Sequence, residues 1–371
     1  MKRRVTMSAV AQRAGVHVTT VSLALRNHPK LPLATRQRLR ALAERMGYQP
    51  DPALFSLIAY RTRIRPSKLK LTLAYLTNWD TEWGWKDARA HARFFEGATA
   101  RAPQLGYRLE HFWLGARQPG RDRLGAALQA RGISGLIIAS HGRKPDQSLE
   151  LDWQLFSAVK IDFLPHQPVV HSVTNDQRAI IQLAMRRAVA AGYRRIGFVM
   201  SEWWDRCVDS AWSAGFLAEQ QAVASRDRIP ILIVPDVAQE PAMPRGPFER
   251  WSALHRPEVV IGNSSFVLPR LAEMKISVPA DVAFVDLFLD PSSDHRVAGV
   301  RQNCHRVGEL AVEILVSQLH QHTFGLPQFP TSTLVQGTWF DGASLPLRPE
   351  PHAGSSRHPA VAPRPLAARG R

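Results

Sequence analysis

The chain has 371 residues, 45% of them hydrophobic, two cysteines and a formal charge of +17. That length implies two or three folding units with a substantial core, and no stretch approaches the ~20 uninterrupted apolar residues of a membrane span or the apolar core of a signal peptide, so a cytoplasmic protein without membrane contact is expected. Cys207 and Cys304 are too few for a disulfide framework or a thiolate metal cage, and no cofactor is expected. The charge is unevenly spread: residues 1–68 carry +12 and the tail from 341 carries +3, leaving +2 on the body. A nearly neutral body behind a strongly basic segment is the footprint of a protein that docks that segment on phosphates.

Along the chain, Thr6 is placed to cap a helix with Val10, Ala11 and Ala14 inward and Gly15 at its end. A second helix from about Val18 to Arg26 buries Val21 and Leu25 and turns Thr19, Ser22, Leu23 and Arg26 outward. After the Pro29 to Pro32 turn, Thr35 is expected to cap a third helix with Leu39, Leu42, Ala43 and Met46 inward and Arg36, Arg38, Arg40 and Arg45 outward. Three such helices form a helix-turn-helix, whose second helix fits the major groove of DNA. Residues 51–61 read as an apolar helix start with Pro52 in its first turn, too short to be stable alone, followed by a basic linker.

From Leu71 the pattern changes to buried strands alternating with helices. Strands are expected at 71–76, 107–113, 135–139, 156–163, 195–200, 229–234, 259–261 and 282–286. Helices are expected at 92–105, 121–131, 177–191, 207–222 and 266–274. This alternation predicts parallel sheets covered by helices, enough for two lobes, with a ligand crevice at the carboxyl ends of the strands. The tail from Asp341, rich in Pro, Arg and Ala, reads as disordered. No P-loop, G-x-S-x-G or G-x-G-x-x-G run is present, the histidines show no metal spacing, and no catalytic carboxylate pair stands at a recognisable motif. A non-enzymatic protein is therefore expected; the alternative is a sugar-binding protein or enzyme with an incidental basic arm.

The runs Val5-Thr6-Met7-Ser8-Ala9-Val10-Ala11, Ala14-Gly15-Val16, Thr20-Val21-Ser22, Thr35-Arg36 and Gly47-Tyr48-Gln49-Pro50 resemble the headpiece of the lactose-repressor (LacI/GalR) family of bacterial regulators. In the body, Arg131 to Ile138, Ala191 to Val199, Ala214-Gly215-Phe216, Val278 to Val282 and Gly299 to Gln302 are similar to that family's periplasmic-binding-protein-like domain. The resemblance implies an α/β chain in four parts: a helix-turn-helix headpiece over 1–50, a hinge helix and linker over 51–68, an effector-binding and dimerisation domain over 69–340 and a disordered basic tail over 341–371. It further implies a homodimeric repressor of a palindromic double-stranded operator, controlled allosterically by a small ligand of the carbohydrate kind.

The same resemblance places Val18, Thr19 and Leu23 at base edges and Thr6, Thr20, Ser22 and Arg26 at phosphates. His17 also falls on the phosphate side, at the position where the family usually has a capping serine. In the hinge, Leu57 matches a leucine that wedges between base pairs in the minor groove, with Ala53 and Leu54 toward the dimer mate. Candidate effector contacts are Trp79, Asp162, Trp212, Asn263 and Gln302, Trp212 standing where the family's sugar binders commonly carry an arginine. Trp83, Trp85, Trp203 and Trp204 are expected as loop aromatics near the crevice mouth. Lys160 is expected either to pair with Asp162 or to reach water from a sheet edge.

Overall fold

A computed structural model of the chain describes residues 5–25, 28, 30–48, 71–115, 121–141, 149–235, 246–289 and 296–348. The expected hinge and linker, with Ala53, Leu54 and Leu57, lie outside the described residues, as does Arg26. In the headpiece, α1 (Met7–Ala14) begins where Thr6 accepts a hydrogen bond from the Ala9 amide and ends at Gly15, whose φ of 69° is the left-handed turn that a residue without Cβ adopts without strain. It is followed by α2 (Val18–Leu25) and α3 (Leu33–Arg45). Val10, Ala11, Val21, Leu25 and Ala43 form their shared core. Two expectations fail in α3: the helix starts two residues before Thr35, behind Pro32, with no side-chain cap, and Arg36 is buried. Pro32, with extended backbone at the N-cap, precedes the first turn, and its carbonyl accepts from the Arg36 amide at 3.0 Å.

The body is two six-stranded sheets. Lobe 1 contains β1 (Leu71–Asn78), β2 (Tyr107–Trp113), β3 (Gly135–His141), β4 (Ser157–Ile161), β5 (His171–Asn175) and, late in the chain, β11 (Ser332–Val335), in the order β11-β5-β4-β3-β1-β2. Its helices are α4 (Arg89–Gln104), α5 (Arg121–Ala130) and α11 (Cys304–Gln321). Lobe 2 contains β6 (Ile196–Ser201), β7 (Leu232–Val234), β8 (Val259–Gly262), β9 (Ala283–Leu289), β10 (Ala298–Arg301) and β12 (Thr338–Phe340), in the order β12-β10-β9-β8-β6-β7. Its helices are α6 (Gln177–Ala190), α7 (Glu202–Arg206), α8 (Ala211–Gln220), α9 (Pro247–His255) and α10 (Ser264–Glu273). Pairing is parallel throughout except for the edge pair of β10 with β12. The chain changes lobe three times, after β5, between β10 and α11, and between β11 and β12.

Each sheet is buried on both faces, which is why its strands are near-continuous apolar runs. One face of lobe 1 packs Leu73, Tyr75, Ile137 and Val159 against α4 and α11. Those two helices touch backbone to backbone: a Cβ on Gly97 would fall 1.9 Å from the His305 carbonyl oxygen, and one on Gly308 1.9 Å from that of Phe94. The first turns of α11 are thereby held against the middle of α4.

Several elements differ from the sequence expectation. The helix expected over 207–222 is the shorter α8 over Ala211–Gln220, and α7, β5, α9, β10, α11, β11 and β12 were not foreseen. Residues 341–348, assigned to the tail, are tied to lobe 2 instead. Ser344 is buried, donating to the Phe284 carbonyl at 2.7 Å and accepting from the Ala298 amide at 2.8 Å. Among the described residues no helix is long and apolar enough to cross a membrane.

Candidate DNA-binding face and inter-lobe cavity

On the headpiece, Thr19 is exposed on α2 while Val18 and Leu23 are half-buried beside it. His17 takes the capping position: its carbonyl accepts from the Thr20 amide at 2.9 Å and its Nδ1 from the Thr19 amide at 3.3 Å. Because Nδ1 accepts that amide, the Thr19 hydroxyl, 2.6 Å from the same nitrogen, donates to it and keeps its lone pairs free to accept. Thr6, exposed, uses its oxygen on the Ala9 amide and retains its O–H as a donor. Thr20 and Ser22 are half-buried on the same helix.

Between the lobes lies a cavity of about 760 Å³. Asp162, Trp212, Asn263 and Gln302 all line it, brought together from β4, α8, α10 and the β10–α11 crossing. Trp79 does not. The turn after β1 carries it behind His91, ring edge to ring at 5.6 Å, with its carbonyl accepting from Trp113 Nε1 at 2.7 Å. Of the expected mouth aromatics only Trp204 lines the cavity; Trp85 is wholly buried in lobe 1. Trp212 is 1% exposed and packs against Phe288 at 5.4 Å, so it is both a core residue of lobe 2 and part of the cavity wall. Gln302 donates to the Leu287 carbonyl at 3.0 Å and accepts from Asn175 at 3.3 Å, which fixes it at the crossing.

The charged groups show what the site can do. Asp162 sits at φ 63°, and burial pushes its carboxyl up to about 6 against the lowering effect of a 2.5 Å hydrogen bond from Thr174. Lys160 neither pairs with Asp162 nor reaches water. Its Nζ donates to the Pro165 carbonyl at 2.8 Å, and burial lowers it to about 8. Asp286, at the floor of lobe 2, is raised by burial and held back by hydrogen bonds from Ser264 and the Phe288 amide and by the Arg89 charge. Burial drives the Cys304 thiol up to about 12, so it is not a ready nucleophile. Burial also lowers His91 to about 4, leaving its ring neutral at physiological pH.

The sequence reading missed Arg89, Arg93, Asn175, Arg301 and Arg306 as cavity residues. A signal existed for two of them. Arg89 and Arg93 stand four apart, on one face of a helix, but the expected helix began at residue 92 and so left Arg89 outside it.

Residues 6–51 match the family model for bacterial regulatory proteins of the lacI family. An HTH-type transcriptional regulator of Mycobacterium tuberculosis is 29% identical over 201 residues, 53% of each chain. The HTH-type transcriptional regulator PtxS of Pseudomonas plecoglossicida is 29% identical over 196 residues, again 53% of each. The match thus spans about half the length of these curated relatives. Among solved structures, the lac repressor dimer bound to operator and an anti-inducer superposes with a TM-score of 0.51 at 19% identity, covering 93% of this chain and all of that one. A complex of the regulator CelR with cellobiose gives 0.53 at 17% identity, covering 92% of this chain and all of that one. At such identities the likeness is one of fold. The headpiece is thus matched by the lacI family model, and the two-lobed body shares the architecture of these solved regulators.

Proposed function

We propose that the protein is a cytoplasmic, sequence-specific DNA-binding transcription regulator, acting as a homodimer on a two-fold symmetric operator and controlled by a small carbohydrate-like ligand between its lobes. The observation that carries this reading is the pairing, in one chain, of a basic headpiece whose α2 presents Thr19 to solvent with a polar and aromatic inter-lobe cavity. In this reading the parts divide as 1–50, 51–68 and a ligand-binding body from 69, and the protein is a repressor without catalysis of its own. Each headpiece sets α2 in a major groove. Val18 and Leu23 meet thymine methyls, and Thr19, its hydroxyl proton engaged by His17, accepts from an exocyclic amine of adenine or cytosine. Thr6, His17, Thr20, Ser22 and Arg26 face phosphates, and the paired Leu57 side chains open the operator's centre, as the family resemblance implies. Lobe closure on the ligand resets the spacing of the two headpieces, which is the route from cavity to DNA.

The experiment is selection from random duplex DNA by the full-length chain, followed by footprinting. A site with two inverted halves, bound with an affinity that falls steeply with salt, is the expected result. Binding with no symmetric site, or as a single subunit on DNA, overturns the reading.

A further inference from the structure

We infer that the inter-lobe cavity takes an anionic polyhydroxylated molecule, a sugar bearing a carboxylate or a phosphate, whose charge is held where the starts of α4 and α11 open on the cavity among Arg89, Arg93, Arg301 and Arg306. This deepens the proposed function and rests on its reading of the cavity as the ligand site.

Two long helices, of 16 and 18 residues, begin at the cavity wall without a side-chain cap and without an acidic residue in the first turn. Both starts line the cavity, with α11 packed against the middle of α4 at Gly97 and Gly308, so two positive helix ends and their spare amides open on it. The four arginines face two lining carboxylates, Asp87 and Asp162. Part of this charge is answered from outside, since Arg93 reaches Glu96 at 2.8 Å and Arg306 reaches Glu309 and Glu313 at 2.9 and 3.0 Å, while Arg89 lies in the field of Asp286. Arg301 is not answered in this way. Its guanidinium lies over the Phe340 ring at 3.8 Å, and its buried Nε has no hydrogen-bond partner among the described residues.

A second orphan indicates hydroxyls. Asn175, 1% exposed and lining the cavity, spends its amide protons on Gln302 and Cys304 and leaves a buried Oδ1 without a partner among the described residues. An unpaired buried acceptor is costly, and a ligand O–H satisfies it. A neutral sugar would answer Asn175 but leave the helix ends and Arg301 without an anion.

Thermal unfolding of the full chain tests this, with sodium D-gluconate, D-galacturonate, D-glucose 6-phosphate and inorganic phosphate against D-glucose, D-galactose and sodium chloride at matched ionic strength. A saturable rise in Tm with at least one of the four anions and none with the neutral sugars is expected. Arg89→Gln and Arg301→Gln should each raise the half-saturating concentration roughly tenfold, and Arg89→Lys much less. The uronate and aldonate arms against the phosphate arms tell a carboxylate from a phosphate. The inference is overturned if no anion gives a saturable rise, if a neutral sugar stabilises more than every anion, or if the anion effect is unchanged in Arg89→Gln and Arg301→Gln, as headpiece binding would leave it. A chain that selects a symmetric DNA site yet shows none of these effects sinks the anion alone. One that binds anions this way but no symmetric DNA sinks the regulator alone.

Discussion

The two walls of the cavity are built from the same parts, strand ends and helix starts, and finish them in opposite ways. In lobe 2 two helix starts at the cavity are closed internally: Asp205 accepts from the Ser213 amide at 3.1 Å for α8, and Asn263 accepts from the Ser265 amide at 2.9 Å for α10. The surface between them is aromatic, formed by Trp204, Trp212 and Phe288. In lobe 1 the starts of α4 and α11 carry no side-chain cap, and the surface around them is cationic. A helix end left open at a cavity is a binding group held in reserve, whereas a capped one contributes to its own lobe. Lobe 2 therefore offers an apolar platform with Arg301 at its edge, and lobe 1 with α11 supplies the rest of the charge.

The sharpest way to break this comparison is to truncate one residue on each wall. Trp212→Ala should destabilise by about 4 kcal/mol, because Trp212 is a fully buried core side chain of lobe 2. Arg89→Ala, on an exposed residue of lobe 1, should stay within roughly 0.5 kcal/mol. Chemical denaturation reads both, and equal losses would abolish the distinction. A smaller effect comes with pH. Asp162 has a folded-state value raised to about 6 from 3.8, so the folded chain holds this proton more tightly than the unfolded one. Its contribution favours folding at low pH and is lost as pH rises through the window from about 4 to 6. Asp162→Asn should flatten that decline, by on the order of 1 kcal/mol for a carboxyl with partial access to water, read as Tm between pH 4 and 7. The smallest effects concern the helix ends themselves. Asn263→Ala should cost about 1 kcal/mol, while Ala88→Asp, placing a cap on α4 at a residue whose backbone is already extended, should gain about 0.5 kcal/mol and weaken any anion in the cavity. A cap at residue 88 that strengthens anion binding would contradict the assignment of charge to lobe 1.

What could be read from the sequence follows from how local each signal is. The ends of α1 were legible because Thr6 and Gly15 act within one turn of themselves. The start of α3 was misread because Thr35 looks like a cap, while the helix had already begun at Leu33, behind Pro32. Asp162, Trp212, Asn263 and Gln302 could be named through the family resemblance, and the fold brings all four to one cavity. The arginine wall could not be named. Arg89 and Arg306 are far apart in sequence and resemble solvent-facing residues of two surface helices; only the packing of Gly97 on His305 and of Gly308 on Phe94, and the return of the chain from lobe 2, set them together. For α11 the apolar spacing of Val307, Ala311, Leu315 and Val316 was present in the sequence, but the expected elements stopped short of it.

The triple exchange of chain between the lobes also governs how the protein can be made. The first sheet receives its edge strand β11 only at residues 332–335, and its longest covering helix only after residue 304. On the ribosome, strands β1 to β5 emerge with one face of their sheet covered by α4 alone, and they must wait for α11 while nearly all of the second lobe is synthesised. Completion of the two halves is thus coupled to the end of translation, and a chain stopped before Cys304 would leave the face of Leu73, Tyr75, Ile137 and Val159 with one of its two covering helices.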